Sequence, residues 1–89
     1  MTQFLTETAG SWLDSGKINV YFDWPDMTSL SSASSAQVTV WNSDTRSLIY
    51  NSERLDIRPR AFPKVRMRLS RTGKMALILD RDILLFQIP

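Results

Sequence analysis

The chain has 89 residues, contains neither cysteine nor histidine, and carries a net charge of +2 from 11 basic and 9 acidic side chains. This length supplies one domain, and a composition that is 43% hydrophobic and 22% charged belongs to a folded chain rather than a disordered one. The two missing residue types exclude disulfide frameworks, thiolate metal sites and cysteine nucleophiles, and they remove the commonest general base and metal ligand.

The charge is unevenly spread. Residues 1–52 carry Lys17 and Arg46 against Glu7, Asp14, Asp23, Asp26 and Asp44, a net of −3. Residues 53–74 carry Arg54, Arg58, Arg60, Lys64, Arg66, Arg68, Arg71 and Lys74 against Glu53 and Asp56, a net of +6. Such segmental asymmetry points to an anionic partner more directly than net charge does.

At the N-terminus, "MTQFLTETAGSW" has neither the basic start nor the continuous apolar core of a signal peptide, and no apolar run approaches the roughly eighteen residues of a membrane span. The expected location is cytoplasmic. Phe4, Leu5 and Ala9 stand at near-helical spacing with Gly10 as a stop, which predicts a short helix over residues 3–9. "TAGSW", residues 8–12, resembles the Gly-x-Trp that opens lipocalin-like barrels; the match is confined to those residues and assigns no family.

After Gly16 the period changes to two. "KINVYFDW" puts Ile18, Val20, Phe22 and Trp24 on one face and Lys17, Asn19, Tyr21 and Asp23 on the other, the pattern of a half-buried strand ended by Pro25. The serine-rich stretch at about 26–36 reads as a flexible loop. "QVTVW", "NSDT" and "RSLIYN" follow as strand, turn and strand. "FPKVRMRLS" alternates, "RTG" turns the chain, "KMALIL" returns it, "DRD" turns it again and "ILLFQI" closes the chain. Five to six short antiparallel strands over a single domain, 1–89, predict an all-β fold: a small barrel, or else a sandwich, of SH3-like or OB-like size.

Two features carry the functional expectations. From residue 58 the even positions read Arg58, Arg60, Phe62, Lys64, Arg66 and Arg68, with Arg71 in the turn beyond, while Val65, Met67 and Leu69 point the other way. Successive outward side chains stand about 6.6–6.8 Å apart along a strand, a spacing roughly commensurate with phosphates of an extended single strand, and Phe62 offers a ring for stacking. Arginine's planar fork, which outnumbers lysine here, suits phosphate or carboxylate. The plainer reading is a charged edge that discourages pairing with another chain; Pro59 and Pro63, which lack amide donors, also place the stripe's first half at an edge.

The second feature is the C-terminal hairpin, apolar on both faces. Met75, Leu77, Leu79, Leu84, Phe86 and Ile88 fill one face, leaving Ala76, Ile78, Ile83 and Leu85 on the other. A domain this small has one core to offer, so Ile78, Ile83 and Leu85 are expected at an interface, in a homo-oligomer or as a subunit of a complex.

Other signals are weaker. "SRTGKM" lacks the first glycine of a phosphate loop and has Met75 where a metal-binding hydroxyl is needed, so it reads as a hairpin turn. Asp80 and Asp82 are too few for a divalent-ion site. Trp12, Trp41 and Tyr50 offer a ligand platform or, more simply, core packing. No catalytic residue, metal site or cofactor is expected. The leading expectation is a non-catalytic binding module gripping nucleic-acid phosphates through the basic strand; the alternative is a protein–protein interaction or assembly subunit docking through the C-terminal hairpin, with an acidic protein surface against the stripe.

Overall fold

The computed structural model describes residues 2–14, 16–24, 36–57 and 63–89. Its described residues form seven strands in two antiparallel sheets. The first sheet holds β1 (Thr2–Thr8), β2 (Lys17–Asp23), β3 (Gln37–Asn42) and β4 (Leu48–Asn51) in that order. The second holds β5 (Val65–Leu69), β6 (Lys74–Leu79) and β7 (Asp82–Gln87), also in chain order. A 3-10 turn at Gly10–Leu13 joins β1 to β2. No helix among the described residues is long and apolar enough to cross a membrane.

Period-two patterning decides what each strand buries. Ile18, Val20 and Phe22 of β2 and Val38 and Val40 of β3 point to one side of the first sheet; Met67 of β5 and Met75, Leu77 and Leu79 of β6 point to one side of the second. These residues form a single buried cluster together with Ala9, Trp24, Ala36 and Ile88. Removing each of the larger side chains from water contributes about 1.5–3 kcal/mol relative to leaving it exposed. The bridge between Ala36 and Leu55 ties the start of β3 to the segment after β4.

The turns follow from local chemistry. Asn42 Oδ1 accepts from the amides of Asp44 and Thr45 at 2.9 and 3.1 Å, and Arg46 takes a left-handed φ of 59°, which together turn "NSDT" between β3 and β4. A bulge between Val40 and Trp41 shifts the register, so that Tyr50 faces inward beside Val40 and Leu48 faces outward beside Trp41.

Three expectations need correction. Residues 3–9 are not helical: most of them belong to β1, whose Gln3, Leu5 and Glu7 face inward opposite Phe22, Val20 and Ile18. Two polar residues in that inward row hid the alternation, while the β-branched Thr2, Thr6 and Thr8 favour a strand. With β1 included, the strands exceed the expected five to six. Nor do the sheets close into a barrel, since no ladder joins them among the described residues. They approach at one rim, where β1 comes near β5 and Gln3 lines a shallow recess with Pro63, Lys64, Val65 and Arg66. Pro63 has no amide donor there with which to begin a ladder. The expected serine-rich loop lies, except for Ala36, outside the described residues.

Gly73 locks the hairpin between β5 and β6 to the rest of the molecule. Its φ is +85°, and a Cβ there would stand 2.6 Å from Trp12 Nε1 and 2.8 Å from the Ile88 carbonyl oxygen. Its own carbonyl accepts the Ile88 amide at 2.8 Å. Gly73→Ala is therefore expected to destabilise the fold by about 2–4 kcal/mol through backbone strain and overlap, read by urea denaturation. The same change in a Trp12→Ala background costs less relative to that background, because part of the overlap is gone.

Candidate functional site

Arg66 and Arg68 of the basic stripe share one surface with the apolar hairpin face. In the β5–β6 ladder Arg66 lies opposite Ile78 and Arg68 opposite Ala76; in the β6–β7 ladder Ile78 lies opposite Ile83 and Ala76 opposite Leu85. The outward side of the second sheet thus reads, across the strands, Arg66–Ile78–Ile83 and Arg68–Ala76–Leu85. Side chains so paired stand about 4.5–5.5 Å apart at Cβ, so cations and aliphatic groups form one continuous patch. Ile83 and Leu85 are 63% and 78% exposed.

Lys64 precedes β5 and is exposed. Its amide donates to Asp80 Oδ1 at 3.3 Å, and its carbonyl accepts the Asp80 amide at 3.2 Å, so the start of the basic run is tied to the β6–β7 turn. Arg71 is exposed in the β5–β6 turn. Arg58, Arg60 and Phe62 lie outside the described residues. At the Leu85 end a shallow groove of about 610 Å³ has Ala76, Leu85 and Leu69 among its lining residues and Arg68 and Lys74 as its cations.

Asp80 serves its turn, and Asp82 begins β7. Asp80 adopts a φ of 45° and accepts the Lys64 amide. No group of three or more His, Cys, Asp or Glu side chains able to hold a metal occurs among the described residues.

The three aromatic residues weighed as a platform or as core packing go to separate places. Trp12 covers Gly73. Tyr50 meets Phe86 edge-on between the sheets, with centroids 5.9 Å apart and planes at 67°. Trp41 points outward from the first sheet, opposite Asn19 on β2. A different aromatic grouping appears there: Phe4, half exposed, packs on Tyr21 with centroids 5.0 Å apart. The helical expectation for residues 3–9 concealed Phe4, and Trp41 joins Tyr21 only through the β2–β3 register, which is a long-range fact. Among the described residues, then, the outward rings stand on the first sheet and the outward cations of the stripe on the second.

Comparison with protein-family models, with curated proteins and with solved structures finds no match for this chain, so its functional reading rests on these faces.

Proposed function

We propose that this protein is a non-catalytic binding module, a small two-sheet β-sandwich that docks a partner protein on the outward face of β5, β6 and β7. The observation that carries the reading is the exposure of Ile83 and Leu85 on the same face as Arg66 and Arg68. An isolated exposed leucine means little, but adjoining apolar residues bordered by cations describe an interface with an apolar centre and a polar rim. The matching surface presents aliphatic or aromatic side chains to Ala76, Ile78, Ile83 and Leu85 and carboxylates to Arg66 and Arg68. Bidentate pairing of carboxylate with guanidinium would fix the orientation, and apolar contact would supply most of the affinity.

This ordering reverses the weight given to nucleic acid by the sequence. Single-strand binding combines a phosphate track with rings on which bases stack. The described residues of this face are aliphatic beside the cations, and aliphatic groups offer a protein surface more than they offer a base.

The test is peptide display against the immobilised protein, counter-selected on a Leu85→Asp variant. Enriched sequences are expected to combine Leu, Phe or Trp with flanking Asp or Glu. Arg66→Ala combined with Arg68→Ala should weaken the selected peptides about tenfold or more, and Leu85→Asp should abolish measurable binding. Leu85→Asp should change stability by less than about 0.5 kcal/mol, because the position is exposed. The reading fails if no peptide depends on Leu85, or if a labelled single-stranded oligonucleotide binds with steep salt dependence and is lost on removing Arg66 and Arg68. Concentration-dependent self-association that disappears in Leu85→Asp would instead assign the face to a second copy of the chain.

A further inference from the structure

The outward face of the first sheet holds a second arrangement that the docking face, on the second sheet, does not use. Its ladders align Phe4–Tyr21–Thr39–Asn51 in one row and Thr6–Asn19–Trp41–Leu48 in the next, with Thr2–Asp23–Gln37 beyond. An open groove of about 700 Å³ crosses these rows, with Asn19, Tyr21, Asp23, Thr39, Trp41 and Arg46 among its lining residues. That volume lies in the range of small-molecule sites.

We propose that this groove binds a neutral oligosaccharide. Tyr21 and Trp41 occupy diagonal positions across the β2–β3 pair, about 7–8 Å apart at Cα, and neither is buried in the core. Two half-buried rings at that separation present their accessible parts as apolar platforms for the C–H faces of sugar rings. Sugar hydroxyls both donate and accept, and the groove offers partners of each kind: an amide that does both at Asn19, a carboxylate that accepts at Asp23, a guanidinium that donates at Arg46 and a hydroxyl at Thr39. Asp23 is already oriented by the Thr2 hydroxyl. Asn19 and Arg46 spend no side-chain hydrogen bond on another described residue.

Charge selects among ligands that stack on rings. The groove carries one acid, Asp23, and one base, Arg46, so it offers no net attraction to a polyanion. Lys17 stands on this face too, one row beyond Asn19, but the closely spaced cations of the stripe, Arg66 and Arg68, belong to the second sheet. A nucleic acid would meet rings without a phosphate track, whereas an uncharged polyhydroxylated chain meets both its requirements at once.

Titration with neutral hexasaccharides of glucose, xylose, mannose and N-acetylglucosamine, followed by calorimetry and by tryptophan emission, tests the inference. At least one is expected to bind, with the emission change lost in Trp41→Ala. Trp41→Ala and, separately, Asn19→Ala should each weaken binding roughly tenfold or more. Trp41 lies outside the core cluster, and the Asn19 change leaves every ring in place, so loss in both variants with unaltered melting identifies the groove. Leu85→Asp should bind the sugar as the parent does, which separates this face from the docking face. The inference is overturned if no hexasaccharide binds at millimolar concentration, if binding survives both groove variants, or if it is lost in Leu85→Asp.

Discussion

The single core shared by the two sheets is the constraint on which everything else rests. Ile18, Val20, Phe22, Val38 and Val40 from one sheet meet Met67, Met75, Leu77 and Leu79 from the other, and a chain of 89 residues has nothing left with which to build a second core. Because side chains alternate along a strand, assigning these residues inward assigns their neighbours outward. Arg66 and Arg68 are outward because Met67 is buried between them; Tyr21 and Asn19 are outward because Val20 is. The outward faces are therefore consequences of the core to which both sheets contribute.

That geometry explains why one small domain presents two chemically different surfaces. The second sheet repeats an apolar period on both of its sides, which leaves Ile83 and Leu85 in solvent beside cations. The first sheet carries hydroxyls, amides and rings outward and no comparable aliphatic patch, although Leu48 and Phe4 are partly exposed.

Much of this was legible from the residues alone. The turns at "NSDT", "RTG" and "DRD" and the strands they join follow from side-chain identity within a few positions, as Asn42 shows by capping its own turn. The outward placement of Ile78, Ile83 and Leu85 also follows from local alternation. What was not legible depends on register. That Arg66 stands beside Ile78 and Ile83, so that two separate expectations merge into one surface, is set by cross-strand pairing. The same holds for Trp41 beside Asn19. β1 was misread because an edge strand needs only one strongly apolar inward residue, Leu5, and its remaining pattern mimics a helical turn.

Strand register decides both faces, since a slip of one residue would exchange every inward and outward side chain. The most direct measurement is methyl relaxation by NMR in the presence of a soluble paramagnetic probe, on the free protein at low concentration. Fast relaxation at the methyl groups of Ile83 and Leu85, with slow relaxation at Leu77, Leu79 and Ile88, is the predicted result. Protection of Ile83 and Leu85, or fast relaxation at Leu77 and Leu79, would contradict the division into one core and two open faces.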